Sequence, residues 1–158
     1  NFSNNKIHKT YWAIVEGIHE VQFKTLQDFL VFNTKKQKAF LHEEQVRKSK
    51  KVILDFNLFA QGEKYSYVEV FPQTGRTHQI RAQLAKNSMV IKGDVKYGAK
   101  RSDSIPGIRL VARTIKTPVP SSKEIKEFTS QIFPIDNLWQ NFIDSYKVYK
   151  QGIFDGKK

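Results

Sequence analysis

Hydrophobic and polar positions change their spacing several times along the chain, and each change marks an element. In "KTYWAIVEG", aromatic and β-branched residues crowd together and stop at Gly17, which predicts a strand over residues 10–15. "LQDFLVFN" predicts a second extended piece. "KVILDFNLF" and "YSYVEVFP" predict two more strands, joined by "AQGEK", whose glycine and polar neighbours suit a hairpin. In the later of the two, Ser66, Val68 and Val70 alternate with Tyr65, Tyr67, Glu69 and Phe71, the period of two of a half-buried strand. Pro72 ends that ladder, and Thr74-Gly75 makes a turn that permits a positive φ at Gly75. A helix is then expected from Thr77, as N-cap, to Lys86 or Asn87. "MVIKGDVKYGAKR" reads as a loop with a short extended start, and "IRLVARTIKTPVP" and "EIKEFTSQIF" as further strands. In "DNLWQNFIDSYKVY", Leu138, Trp139, Phe142, Ile143 and Tyr146 recur at helical spacing behind Asp136, a candidate cap, so a helix packed on the sheet is expected. There is no internal repeat. The sum is an α+β fold, a predominantly antiparallel or mixed β-sheet with a few packed helices.

Composition narrows this picture. The 158 residues suit one domain, and 39% hydrophobic with 13% aromatic content argues against disorder. The longest apolar run is far too short for a bilayer span, so no membrane partner is expected. "NFSNNKIHKTY" lacks the apolar stretch of a signal peptide, and there is no cysteine for a disulfide or a thiolate metal site. A cytoplasmic setting and a monomer are the default expectations. Lys and Arg number 27 against 15 acids, a formal charge of +12 with a pI near 9.8. Such a surface either binds a polyanion or merely keeps the chain soluble. The densest stretch, residues 34–51, reads as a solvated loop or, less often, as a basic lip beside a nucleic-acid groove.

Candidate chemistry concentrates in "TGRTHQIRAQL". A helix starting at Thr77 aligns His78, Arg81, Ala82 and Ala85 on one side, with Ile80 and Leu84 on a neighbouring apolar stripe. Arg76 sits beside the backbone N–H groups of the first turn, where an anion is favoured. Singly, Arg81 could pair with a structural carboxylate, His78 with a backbone carbonyl, and Gln79 could face solvent. Together, three long donors around one turn call for a carboxylate or a phosphate. The four histidines, His8, His19, His42 and His78, are too scattered for metal-ligand spacing, and no nucleophile elbow or phosphate-cradling glycine loop is present.

"TGRTHQIRAQLAKNSMVIKGDVKYG" resembles the signature region of the pseudouridine synthases, RluA branch, in which a Gly-Arg-Thr-His-Gln-hydrophobic-Arg block precedes a Gly-Asp-x-x-Tyr-Gly turn. "KTYWAIVEG" is similar to that family's Lys-x-Tyr-x-Ala-hydrophobic-Val-x-Gly strand, and "RLVARTIKTPVP" falls where the family has a late strand. The resemblance runs from about Lys9 to Pro134. It implies isomerisation of uridine in ribosomal or transfer RNA to pseudouridine without metal or organic cofactor, on a nucleotide extruded into a pocket. By resemblance, Tyr11 is the active-site tyrosine that packs on the base, and Arg81 is the arginine that pairs with the catalytic aspartate. Arg76, His78 and Gln79 become RNA-backbone contacts or supports of the turn.

The family's aspartate lies in a His-Arg-Leu-Asp block upstream of the tyrosine strand, and that block is absent here. The aspartates are Asp28, Asp55, Asp94, Asp103, Asp136, Asp144 and Asp155, and none follows Arg-Leu. Asp94 belongs to the Gly-Asp turn and is expected to be structural. Val111 stands where relatives often have histidine. The chain is therefore expected to be the C-terminal portion of a catalytic domain, inactive alone, with Arg81 reserved for a carboxylate from chain outside it. That expectation fails if Arg81 faces bulk water or is bound by an acid already inside these residues. The rival expectations are a non-catalytic RNA-binding module and a basic scaffold for protein partners.

Overall fold

A computed structural model describes residues 7–119, 122, 124–132 and 135–155. Residues 1–6 of the leading stretch, Pro120 after the late strand, and Phe133 and Pro134 lie outside the described residues. In chain order the elements are β1 (His8–Glu16), β2 (Phe23–Asn33), β3 (Lys38–His42), β4 (Lys50–Gln61), β5 (Tyr65–Pro72), α1 (Gln79–Lys86), β6 (Leu110–Pro118), β7 (Ile125–Thr129) and α2 (Asn137–Asp155), with a single 3-10 turn at Val95–Tyr97 between α1 and β6. The strands form one sheet in the order β3-β2-β4-β5-β1-β6-β7, every neighbouring pair antiparallel. The α+β expectation holds.

Strand periodicity places the site. Along β1, Ala13 and Val15 point to one face and join Leu54, Phe56, Val68 and Val70 beneath Ile80 and Leu84 of α1. Tyr11 has the same parity and packs against the edge of that cluster. Trp12 and Ile14 point the other way, to Tyr67, Trp139 and Phe142. Two layers of helix thus sandwich the centre of the sheet. This corrects the half-buried reading of β5, in which Ser66 to Val70 are all buried: α1 covers one face and α2 the other. Glu69 is tolerated in that interior because Trp12 Nε1 (3.3 Å) and Tyr146 Oη (2.8 Å) both donate to its carboxylate.

Other differences from the sequence have local causes. β3 lies within the lysine-rich stretch that reads as loop; it is a short edge strand, and charge on an edge discourages further pairing. Ile91 forms an antiparallel bridge with Val15, the short extended start expected of its loop. Asp136 caps α2 as expected, accepting from Trp139 N–H at 3.0 Å. It also takes Arg109, whose Nη1 and Nη2 lie 2.9 and 2.6 Å from its oxygens. The pairing of β1 with β6 slips once: Thr10 faces Thr114 while Tyr11 faces Ala112. Arg113 is the extra residue of this bulge, and its guanidinium lies 4.5 Å over the Trp12 ring.

Candidate active site

The turn before α1 is built by Gln79. Its Oε1 accepts from Thr74 Oγ1 (2.8 Å) and Arg76 N–H (3.1 Å), and its Nε2 donates to Ile53 O (3.1 Å) and Gln83 Oε1 (3.0 Å). All four hydrogen-bonding positions of the amide are filled inside the protein, and the residue is 3% exposed. Gln79 is therefore a support of the turn and does not face solvent. Two N–H groups that the sequence leaves open to an anion are also taken, Arg76 N–H by Gln79 Oε1 and Gln79 N–H by Arg76 O (3.0 Å). Gly75 does not adopt a positive φ, since side-chain bonds and not glycine geometry shape the turn. The cap is His78, at φ 61, and not Thr77; no side chain caps the helix.

Arg81 leaves the next turn of α1 and is captured by Asp94. Nε–H donates to Oδ2 at 2.9 Å and Nη2–H to Oδ1 at 2.7 Å, a bidentate pair with a carboxylate that is 1% exposed. The bridge of Ile91 to Val15 and the bond from Asp94 N–H to Ile91 O (3.0 Å) bring that acid to α1. The expectation of an Arg81 held in reserve for an external carboxylate is corrected: a buried carboxylate needs a cation, and among the described residues Arg81 is the one paired with it. The hydrogen bond to Asp94 holds the guanidinium above its ordinary pKa.

Arg81 Nη1 lies 2.9 Å from His78 Nε2, and Nδ1 of the same ring lies 2.8 Å from Tyr97 Oη. A guanidinium only donates, so Nε2 accepts and Nδ1 carries the proton, donating to Tyr97. Tyr97 Oη also accepts from Ala39 N–H (2.8 Å), and its ring lies 4.9 Å from Arg81 Cζ. His78 is neutral: burial first, then the charges of Arg81 and Lys96, push its pKa below the usual histidine value. The Gly-Arg-Thr-His-Gln-Ile-Arg and Gly-Asp-x-x-Tyr-Gly blocks thus interlock as one unit. Sequence reasoning named Arg81 but missed Asp94 and Tyr97 as its partners; the one visible signal was the joint presence of the two blocks.

A cleft of about 500 Å³ opens between the Lys9 end of β1 and the start of α1. Tyr11, Arg76, His78, Gln79 and Arg81 all line it, together with Lys9, so every site residue expected from the sequence meets in one place. Its volume is that of a small-molecule or nucleotide pocket. Lys9, Arg76 and Arg81 make its rim cationic, and no carboxylate lines it among the described residues. Arg76 is exposed and makes no side-chain ion pair with the described residues. Of the five guanidinium N–H groups of Arg81, three are directed at Asp94 and His78, which leaves two, one on each Nη.

Comparison with known proteins gives a consistent result. A family described as RNA pseudouridylate synthase matches residues 1–86. An uncharacterized RNA pseudouridine synthase of Zymomonas mobilis is 29% identical over 136 residues, 81% of this chain and 62% of the relative. Ribosomal large subunit pseudouridine synthase D of Borreliella burgdorferi is 29% identical over 134 residues, 84% of this chain and 40% of the relative. The chain therefore spans between 40% and 62% of the length of these two relatives. Among solved structures, human RNA pseudouridylate synthase domain containing 1 superposes with a TM-score of 0.70 at 22% identity, over 84% of this chain and 57% of that one, a likeness of fold.

Proposed function

The chain belongs to the RNA pseudouridylate synthase family, and from that premise we propose that its cleft receives a uridine extruded from structured RNA and houses its isomerisation to pseudouridine. Chemistry on a stacked base needs both a pocket for the flipped nucleotide and cations for the backbone around it. In this reading Tyr11 packs on the base, Lys9 and Arg76 meet flanking phosphates, and Arg81, already bound by Asp94, presents its two remaining N–H groups to the anionic backbone of the entering nucleotide. The nucleophilic carboxylate that the family resemblance implies has no counterpart in the cleft's described lining, and the 158 residues contain no Arg-Leu-Asp step. The 158 residues alone then bind RNA without isomerising it. Ribosomal RNA is the substrate that the name of the Borreliella burgdorferi relative, ribosomal large subunit pseudouridine synthase D, favours.

The observation that carries the reading is the convergence of Tyr11 and Arg81, 70 positions apart in sequence, on one cation-rimmed cleft. Mapping pseudouridine in ribosomal and transfer RNA from cells lacking the gene tests it. Loss of a defined site supports the reading, and an unchanged set of sites refutes it. The acid-free lining favours a second reading, a non-catalytic RNA-binding module. It requires RNA affinity that falls steeply with salt while no modified site is lost.

A further inference from the structure

We propose that Asp94 is the positioning residue of this site, the group that orients Arg81 toward the anionic group of the nucleotide that enters the cleft. The inference rests on the reading of the cleft as the place of isomerisation. A pair of purely architectural purpose would lie within the fold; this one ends in the cleft, with Asp94 sealed behind and Arg81 20% exposed and lining the pocket.

The loop that delivers Asp94 is specialised for the task. Gly93 holds φ +86 and packs so closely that a Cβ would lie 3.0 Å from Gly107 O, so another residue there would push Asp94 away from α1. The carbonyl of Asp94 accepts N–H groups from both Tyr97 (3.1 Å) and Ala99 (3.0 Å), which locks the turn around it. The same turn lays the Tyr97 ring against the guanidinium, while His78 takes one Nη1–H. Arg81 is thereby fixed on one edge by Asp94, on a face by Tyr97 and at Nη1 by His78. An arginine so held meets an incoming carboxylate or phosphate without first losing side-chain freedom, which is how positioning lowers a barrier.

The test uses the full chain and an RNA that it modifies. Asp94→Asn keeps the shape of the side chain but turns one acceptor toward Arg81 into a donor. We expect kcat to fall on the order of 100-fold while KM stays within about two-fold of wild type. Asp94→Glu keeps the charge one methylene out of place and should lose roughly ten-fold in kcat; it serves as the folded control if Asp94→Asn is unstable. Nitrogen NMR of the Arg81 Nε–H gives a readout without turnover: slow exchange with water in the wild type and fast exchange in Asp94→Asn, with backbone amides distant from α1 and the Gly93 loop unmoved. Unaltered kcat in folded variants, a loss carried wholly by KM, or a freely exchanging Nε–H in the wild type overturns the proposal. A wild-type chain that modifies no RNA, yet shows an Nε–H protected by Asp94, supports the positioning and overturns the reading of the cleft.

Discussion

His78 carries more restraint than its place in a helix-starting turn suggests. It adopts the left-handed region without being glycine, and its ring joins Arg81 to Tyr97. Its folded pKa is lowered by burial and by Arg81 and Lys96, with Asp94 opposing, while Phe32 and Tyr97 supply uncharged ring contacts. The unfolded chain thus takes up the proton first as pH falls below about 6.5. The stabilisation from this group is complete above that value and is lost as pH falls toward the folded pKa. Urea unfolding between neutral pH and pH about 5 should show that loss in the wild type and a smaller one in His78→Asn, which tolerates the same backbone. At Arg81, replacement by Ala strands the buried Asp94 and should destabilise the fold by roughly 3 kcal/mol. Arg81→Lys keeps the charge but not the two-pronged contact. In an active full chain it should lower kcat by at least about ten-fold and leave RNA affinity within about two-fold, which turnover and filter binding would show.

The elements differ in how plainly the sequence announces them. β1, β4, β5 and α2 are visible because their apolar spacing matches their geometry, and Asp136 reads correctly as a cap because capping is local. β3 is hidden by its lysines, and the roles of Gln79 and Asp94 are hidden by distance: Gln79 bonds Ile53, 26 positions away, and Asp94 meets Arg81 only after the loop folds back. Of the residues that line the cleft, Arg81 is legible from the helical spacing and donor cluster of α1, and Tyr11 only through a resemblance. At the start of α2, Arg109 joins Asp136 to Asp103 while itself 4% exposed. Hydrogen bonding to Arg109, against burial, holds Asp136 below the usual carboxylate range. Burial acting alone would raise Asp103, but Arg109 and Lys92 keep it well below that range. Both acids have depressed folded values, so their contribution is present above pH about 4 and disappears as pH falls through those values. Asp136→Ala removes the cap and one arm of the network and should cost about 2 kcal/mol or more, measurable as a lower urea midpoint.

For the molecule as a whole, the sheet divides labour: its α1 face carries the cleft, and its α2 face carries the aromatic core of Trp12, Phe142 and their neighbours. The charge of +12 belongs to neither core and, in the proposed function, acts on long-range encounter with RNA. RNA affinity should therefore drop steeply with salt. Arg76→Ala, at the exposed mouth, should lower the slope of log K against log salt by about one unit without changing thermal stability, as titrations at several salt concentrations would show.

The single unmatched residue of β6 has a consequence for how wide the mouth stands. Arg113 gives β6 one step of slack opposite Tyr11, so Tyr11 is keyed to β5 while the half of β1 bearing Lys9 follows the far side of the slip. Removing that step would leave Thr10 opposite Thr114 and Lys9 opposite Ile115 but take out the bend and added twist that the extra residue puts between Tyr11 and Lys9. The count of residues in a neighbouring strand thus sets the angle at which the lysine stands to the tyrosine across the mouth.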